Sequence, residues 1–426
     1  MGCSIAVIAQ SPPPPQALQP RSITHYSVPP DKLTKSKALY SIQVWLYLGS
    51  TVYFLSLLVL FVERRWLVQL RKLAEQTSES KSIQGIIIIP VFAVALSGLM
   101  LPPRLYAHYV SLQYGLSVQR WPSFFRDWAL ESFLICLLAT FVGWILFVFL
   151  RHNPRRSWFY FWLAVIPISA FLTFISPVII DPMFNRFEPL ESAHPQLVTA
   201  LERVVHRAGL EIPRSRMYEM KASQKLTGSN AYVTGFGASK RVVVWDTAIQ
   251  KMSLEEIQFV FGHELGHYVL GHVVKGFIFA MAFCLLLFYL TYLLTDWAVR
   301  KFGAKLRIMS IDDWATLPLL LFMATALLFV SSPLLNGFSR YLEHQADIYG
   351  LEVVHGLVPN SSEVAAASFQ QLGEEWLDYP YASRAAIVWL WDHPSIPDRI
   401  DFALTYDPWN EGQPPRFVKS ARTPGL

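Results

Sequence analysis

The chain has 426 residues, of which 53% are hydrophobic and 16% are charged, and its formal net charge is +5 at pH 7. This composition is too apolar for a soluble enzyme of this length, and basic residues clustered beside apolar stretches argue against a nucleic-acid partner. The three cysteines are too few for a disulfide framework and form no Cys-x-x-Cys metal knuckle.

Residues 1–39 are predicted to form a disordered, proline-rich segment. They include the runs Pro12–Pro15 and Pro29–Pro30 and show no hydrophobic periodicity. The first ten residues are apolar and end at Val7-Ile8-Ala9 in the small-x-small pattern of a clipped signal sequence, but they lack its basic start.

Six stretches are long and uncharged enough to cross the hydrocarbon core of a bilayer, which takes about 20 residues. They are 42–62, 82–103, 132–150, 157–180, 276–295 and 314–339. The sequence therefore predicts a mainly α, polytopic helical membrane protein with six spans and the lipid bilayer as a partner. Residues 40–180 would be a four-span region, and residues 276–339 a two-span helical hairpin.

The polar segment at 181–275 is predicted to be a catalytic insertion with a small β-hairpin. Its patterns indicate a helix, a strand and the two hairpin strands, at 195–210, 216–220, 230–236 and 241–245. The residues from Ser253 to Glu256 form a capping box, which predicts the start of a helix. A C-terminal region, 340–426, shows three helical patterns, at 340–357, 361–377 and 381–392, before a proline-rich tail.

The helix that this capping box opens carries the motif His263-Glu264-Leu265-Gly266-His267. Residues four apart lie one turn apart on the same helix face, so both imidazoles can bind one metal ion. Glu264 lies beside the first histidine, where it can take a proton from a water molecule at the metal. Two histidines, a base and an open position are typical of zinc peptidases, and the motif predicts Zn²⁺.

A zinc peptidase needs a third protein ligand, and Glu343 is the strongest candidate. A helix over 339–347 would place Arg340, Glu343 and Asp347 on one face, where the other two would support the ligand. Two predicted spans separate His267 from Glu343, so both would lie on the same side of the membrane. The alternative is an ion network of these three residues on a surface helix.

The other histidines are not predicted to bind the metal. On a continuous helix His272 would point away from His263. Gly271 could break that helix, but His272 is predicted to be a polar residue at the helix end near the membrane surface. His344 would face about 100° away from Glu343, as a surface or packing histidine.

With these residues together, the chain resembles the type I CaaX prenyl protease family, the membrane-embedded zinc endopeptidases. Besides the His-Glu-Leu-Gly-His helix, the matching segments are Pro182–Leu190, Ser229–Tyr232, Lys240–Thr247, Ser339–Asp347, and His393-Pro394 followed by Arg399. The resemblance covers roughly residues 28–403 and keeps the family's order of motifs.

The resemblance implies a ring of transmembrane helices around a chamber and one zinc ion per chain. The zinc ligands would be His263, His267 and Glu343, supported by Asp347 and Arg340. Glu264 would be the base, with His393 and Arg399 near the scissile carbonyl and an extended peptide along Asn230, Ala231 and Tyr232. The family removes the last three residues of prenylated C-termini. Because Val28-Pro29-Pro30 aligns with residues after the first span of eukaryotic members, the chain is expected to lack that span.

The sequence thus predicts a zinc-dependent integral-membrane endopeptidase acting on a peptide or protein, with prenylated substrates implied by the resemblance. One alternative is a quality-control protease that degrades misfolded membrane proteins. Another is a site-2-type protease, but its motif lies within a hydrophobic span, whereas residues 253–258 are polar here. A non-catalytic membrane chaperone or lipid-binding protein is the third, and Glu264 argues against it because a structural zinc site needs no base.

Two observations conflict over which membrane face carries the catalytic insertion. Seven basic residues lie in short loops on its side: Arg21, Lys32, Lys35, Lys37, Arg104, Arg120 and Arg126. Twelve lie on the other side: Arg64, Arg65, Arg71, Lys72, Lys81, Arg151, Arg155, Arg156, Arg300, Lys301, Lys305 and Arg307. The positive-inside rule therefore favours an extracytoplasmic insertion. The family resemblance favours the cytosolic face, where prenylated tails are presented, and we expect that orientation.

Overall fold

The computed structural model describes residues 23–235 and 240–418 of the chain. Six helices within these ranges are long and apolar enough to cross a membrane, which confirms the predicted mainly α, six-span fold. They extend over Pro30–Glu63, Lys81–Leu99, Trp121–His152, Pro154–Phe184, His272–Leu306 and Trp314–Val354.

The described residues contain sixteen α-helices and four β-strands. The helices of the membrane region are α1 (Pro30–Glu63), α2 (Trp66–Thr77), α3 (Lys81–Leu99), α4 (Leu101–Gln113), α5 (Trp121–His152) and α6 (Ser157–Ile175). The next five are α7 (Asp181–Phe184), α8 (Leu190–Ala193), α9 (Pro195–Arg207), α10 (Asp246–Lys251) and α11 (Leu254–Val269). The last five are α12 (His272–Leu306), α13 (Leu317–Val354), α14 (Ser361–Glu375), α15 (Arg384–Leu390) and α16 (Ile396–Thr405).

The last membrane helix, α13, extends well past its apolar stretch. The predicted span ends at residue 339, but the helix continues without a break to Val354. Residues 340–354 include Leu, Glu, Gln and Ala, which favour helix, and most of their apolar members are buried in the hydrophobic core. One continuous helix therefore carries Glu343 directly out of the membrane-spanning segment.

The predicted disorder of residues 1–39 is wrong for the part that the structure describes, while residues 1–22 lie outside the described residues. Tyr26 is buried, and its hydroxyl donates to the backbone oxygen of Asp378 at 3.0 Å. A Cβ on Gly373 would lie 2.7 Å from the Tyr26 ring. Any side chain at position 373 would therefore displace that ring. The proline-rich composition predicted disorder because it gave no sign that Tyr26 would pack into the folded protein.

The catalytic insertion contains a four-stranded mixed sheet. Its strands are β1 (Phe187–Pro189), β2 (Met217–Met220), β3 (Ala231–Thr234) and β4 (Arg241–Trp245), in the spatial order β1-β2-β4-β3. Strands β3 and β4 form the predicted antiparallel hairpin, with Ala231 opposite Val244, and its turn at 236–239 lies outside the described residues. Strand β2 pairs with β4 in parallel, and β3 is an edge strand of this sheet.

Helix α11 lies between the sheet and α13 and crosses α13 closely. A Cβ on Gly350 would lie 3.0 Å from the backbone nitrogen of His263, and one on Gly262 would lie 2.8 Å from the Val353 side chain. A Cβ on Gly266 would meet Tyr349 at 3.0 Å. Glycine at these three positions lets the two backbones approach, and this crossing brings α13 carboxylates to the histidines of α11.

Candidate metal centre

Helix α11 begins at the predicted capping box. Ser253 accepts a hydrogen bond from the Glu256 backbone nitrogen at 3.2 Å, and the Glu256 carboxylate accepts from the Ser253 nitrogen at 2.7 Å. One face of the helix then presents His263 and His267 together, and their Nε2 atoms lie 3.2 Å apart. Two imidazole nitrogens at this separation are positioned to bind a common ion.

Glu343 of α13 completes a three-residue donor set. Its carboxylate oxygens lie 3.3 Å from Nε2 of His263 and 3.4 Å from Nε2 of His267. One ligand atom from each residue lies within 4.8 Å of the others, so the three can hold a metal ion. Glu343 Oε2 is buried and has no hydrogen-bond partner among the described residues. Such an oxygen is costly to bury unless a cation compensates it, so the donor set fits zinc.

The other ring nitrogen of His263 contacts a buried carboxylate. His263 Nδ1 lies 2.8 Å from Asp347 Oδ1, which leaves Nε2 facing Glu343. Burial lowers the pKa of His263, but the nearby carboxylates of Asp347 and Glu343 outweigh burial and raise it to about 10. These surroundings strongly favour a positive charge at this position, as a site for a cation requires.

Arg399 of α16 balances the charge of Asp347. Its Nε and Nη2 atoms donate to the two Asp347 oxygens at 3.0 and 2.6 Å, and Nη2 lies 3.4 Å from His263 Nδ1. Burial lowers the pKa of Arg399, while the charge and hydrogen bonds of Asp347 raise it above its usual value. Arg399 thus lies behind His263 and pairs with Asp347. Its predicted role at the scissile carbonyl stays a prediction.

Arg340 lies on the same helix as Glu343 but contacts a different element. Its Nη1 atom donates to the backbone oxygens of Ile387 and Trp391, at 3.0 and 2.5 Å. Asn336 donates to the oxygen of Trp389 at 2.7 Å, one helical turn earlier on α13. The alternative of an internal Arg340–Glu343–Asp347 ion network does not describe the structure, because Asp347 pairs with Arg399 and Arg340 fixes α15 and its C-terminal end.

His393 follows this fixed segment and faces the donor set. Its Nε2 atom lies 3.3 Å from Glu343 Oε2, and its Nδ1 atom lies 2.8 Å from Asp392 Oδ1. Burial lowers the pKa of His393, but the hydrogen bond to Asp392 and the charge of Glu343 raise it above its usual value. The imidazole Nε2 atom therefore faces Glu343 and the donor set.

Glu264 lines a cavity of about 440 Å³ that opens onto this cluster, with His263, His393 and Arg399 also in its wall. Burial raises the pKa of Glu264 above its usual value, and the neighbouring histidines oppose this only in part. The cavity wall also contains apolar side chains: Met252, Phe259, Val260, Phe369, Leu372 and Leu390. A carboxylate in the wall of such a cleft can act as a general base on a water molecule beside a bound chain.

The predicted substrate strand is the edge strand β3. The Trp245 nitrogen donates to the oxygen of Asn230 at 3.0 Å, so alternation along the ladder turns the backbone groups of Ala231 and Val233 away from β4. Tyr232 pairs with Val243 on β4. The Asn230 side chain accepts from the Ala231 nitrogen at 2.8 Å. The outward edge can accept another extended chain by main-chain hydrogen bonds.

His272 lies at a helix end, as predicted, but it does not point away from the motif, because the helix is not continuous. Gly271 has φ of +68°, which ends α11, and α12 starts at His272 in a new direction. The His272 ring therefore contacts the motif, with its Nδ1 atom 3.1 Å from Nδ1 of His267. A glycine shortly after the last periodic residue is a helix-stop signal, and Gly271 is the residue that breaks the helix here.

Two protein-family models match the chain. The model of peptidase family M48 matches residues 191–406, and that of the CAAX prenyl protease N-terminal region with five membrane helices matches residues 7–186. Over the described part of that second range, 23–186, four helices reach membrane-spanning length.

Several individual proteins are similar to the chain. The uncharacterized metalloprotease YhfN of Bacillus subtilis is 33% identical over 335 residues, 79% of this chain and 76% of that protein. The CAAX prenyl protease 1 homolog of Dictyostelium discoideum is 27% identical, and the match covers 71% of this chain and 70% of that protein. The Homo sapiens homolog is 24% identical, and the match covers 76% of this chain and 74% of that protein. The crystal structure of Ste24p from S. mikatae shares the fold, with a TM-score of 0.76, 21% identity, and coverage of 89% of this chain and 90% of that one.

The fold and the site define a multi-pass integral membrane protein with a metallopeptidase catalytic domain. The chain belongs to peptidase family M48 and is a metalloendopeptidase. Its family implies a metal cofactor and a peptide or protein substrate.

Proposed function

We propose that the chain is a zinc-dependent endopeptidase whose metal ligands are His263, His267 and Glu343. The observation that carries this proposal is the convergence of two Nε2 atoms and a buried, otherwise unpartnered carboxylate oxygen within one small volume. Zinc bound there supplies Lewis-acid chemistry, which acidifies water and polarises a carbonyl group.

Glu264 acts as the general base in this proposal. It accepts a proton from the attacking water and delivers it to the leaving amine as the peptide bond breaks. The raised pKa of Glu264, caused by burial, supports this role because a base works best with a pKa near the working pH.

His393 stabilises the negative charge that develops on the carbonyl oxygen. Its position 3.3 Å from Glu343 and its raised pKa, to which Asp392 and Glu343 contribute against burial, support this assignment. Replacing His393 should lower kcat on the order of 10²-fold without loss of metal. Arg399 donates two of its five N–H groups to Asp347 and also lines the cavity, so its proposed role near the carbonyl uses the donors that remain.

The substrate lies in the cleft as an extended strand along β3. Main-chain hydrogen bonds to Ala231 and Val233 would hold it without regard to sequence, while Asn230 and Tyr232 border its path. The apolar wall of the cleft suits an aliphatic or aromatic side chain. Trp376, Asp378 and Trp391 also line a second cavity of about 740 Å³, so the cleft has room to continue toward the membrane helices.

We propose that prenylated proteins with a C-terminal CaaX sequence are substrates, since relatives named CAAX prenyl protease 1 homolog match most of the chain. The experiment compares cleavage of a farnesylated CaaX peptide, the same peptide without the lipid, and an unfolded protein, with and without a zinc chelator. Chelator-sensitive cleavage of the farnesylated peptide alone supports the proposal. Equal cleavage of all three would favour a quality-control protease. No cleavage of any of them, against a Glu264→Gln control, would favour a non-catalytic membrane protein.

We propose that the catalytic domain faces the cytosol, where prenylated tails are available. The excess of basic residues on the other side is partly explained by tertiary contacts. Arg71 forms a buried ion pair with Asp313, and the Arg151 guanidinium lies 4.3 Å from the ring centre of Trp314. A cysteine introduced at exposed Ser192 tests this, using a membrane-impermeant thiol reagent on intact cells with the unsubstituted chain as background control. Labelling at position 192 would place the site outside and exclude cytosolic prenylated substrates.

A further inference from the structure

His272 and Gln345 form a buried chain of hydrogen bonds behind His267. The two imidazoles meet through their Nδ1 atoms at 3.1 Å, and His272 Nε2 lies 3.2 Å from Gln345 Oε1. Both outer residues are buried, at 4% and 6% exposure, so water does not compete for these bonds. His272 lies on α12 and Gln345 lies on α13, so these hydrogen bonds join two helices to His267.

We propose that His272 and Gln345 are positioning residues that hold His267 in the tautomer able to bind metal. This inference rests on the proposed metal centre. Two Nδ1 atoms in contact share one proton, so one ring must donate and the other accept. If His267 binds through Nε2, its neutral ring carries the proton on Nδ1 and must donate to His272.

The rest of the chain of hydrogen bonds is then fixed. His272 accepts at Nδ1, so its neutral ring carries a proton on Nε2, and that proton is donated to Gln345 Oε1. In this arrangement each ring carries one proton, and His267 Nδ1 and both nitrogens of His272 have partners. With the opposite direction, the His267 proton would lie on Nε2 and would block the position that faces Glu343.

The two ligand histidines therefore have different outer partners. His263 is held by the carboxylate of Asp347, whose charge is balanced by Arg399. His267 is held by a neutral imidazole and a neutral amide, which orient the ring without adding negative charge near the metal. A metal with fewer anions around it keeps more of its Lewis acidity, so a neutral partner preserves the power to polarise a carbonyl.

The turn at Gly271 makes this arrangement possible. A left-handed φ of +68° breaks the helix at this residue, and His272 then contacts His267 of the α11 motif. Only open space surrounds this glycine, so its conformation, and not packing, accounts for a glycine there.

The experiment measures metal affinity in purified protein by competition with a chelator, and the visible spectrum after cobalt substitution. The variants are His272→Leu, which fills the space without an acceptor, and His272→Asn, whose side-chain oxygen can replace Nδ1. Gln345→Leu removes the far end. His355→Leu is the matched control, because His355 is stacked on Trp409 with ring centres 3.5 Å apart and lies outside the site.

His272→Leu should weaken zinc binding about 10–100-fold and alter the cobalt spectrum, as loss of an outer partner does. His272→Asn should recover most of the affinity, and Gln345→Leu should show a smaller loss. Wild-type affinity and spectrum in His272→Leu would overturn the inference, as would equal weakening in the Leu and Asn variants, which indicates packing alone. Absence of metal binding in the wild type and in His355→Leu would instead overturn the metal centre itself, and the positioning role with it.

Discussion

The substitution Asp347→Asn separates the charge of the Asp347 carboxylate from its volume. Asp347 is 1% exposed and pairs with Arg399, which is 9% exposed and has its guanidinium over the Phe369 ring at 4.2 Å. The asparagine keeps the shape but leaves the Arg399 charge buried without its counter-ion. Breaking a buried ion pair from one side costs about 3–5 kcal/mol, so we expect a clearly lower Tm for the metal-free protein.

The same change should weaken metal binding by a separate route. Asp347 orients His263 by the contact of 2.8 Å to Nδ1, and loss of such a partner costs about 10–100-fold in metal affinity. The double variant Asp347→Asn/Arg399→Met removes the unpaired charge as well. It should recover much of the stability while the metal affinity stays low, because the partner of His263 is still missing.

The assay is thermal unfolding in detergent, followed by circular dichroism with a chelator present, together with zinc affinity measured by competition. If Asp347→Asn unfolds within about 1 °C of the wild type, the buried pair does not carry the stability that its burial implies. If the double variant binds zinc as tightly as the wild type, Asp347 does not position His263.

Three further predictions concern the base, the helix crossing and a buried acid. Glu264→Gln should lower kcat by about 10²–10⁴-fold with metal content unchanged, and a variant with substantial activity would exclude Glu264 as the base. Gly350→Ala should lower the free energy of unfolding by about 1–3 kcal/mol and weaken zinc binding, because the new Cβ would lie 3.0 Å from the His263 backbone. Gly276→Ala is the control, because a Cβ at position 276 would lie in open space. Equal melting temperatures of the two variants would refute a tight crossing of α11 and α13. Burial raises the pKa of Asp378 to about 7, so the folded state binds this proton more tightly than the unfolded chain and stability falls as pH rises toward 7. Asp378→Asn should therefore unfold at a higher temperature than the wild type at pH 8 but not at pH 4, and a pH-independent difference would contradict this.

Much of the architecture could be predicted because its signals are local. A run of about 20 uncharged residues can be recognised without knowledge of the residues that it contacts, and so can the capping box at Ser253. The spacing of His263 and His267 on one helix is local as well. The pairing with Glu343 required only the helical period and the number of intervening spans.

The remaining features depend on tertiary contacts or on single residues. The partner of Asp347 is Arg399, 52 residues away on α16. The start of α16, where Ser395 accepts a hydrogen bond from the Asp398 nitrogen, lies in a segment predicted to be a proline-rich tail. The contact between His272 and His267 depends on one backbone angle at Gly271. Periodicity alone treats α11 and α12 as continuous, so it turned His272 the wrong way.

The most direct test of the central claim is the zinc content of three purified proteins: the wild type, Glu343→Ala and Glu264→Gln. The account predicts one zinc ion per chain in the wild type and in Glu264→Gln, and loss of zinc from Glu343→Ala, because only the last substitution removes a ligand. One zinc ion retained by Glu343→Ala at wild-type affinity would contradict the proposed metal centre.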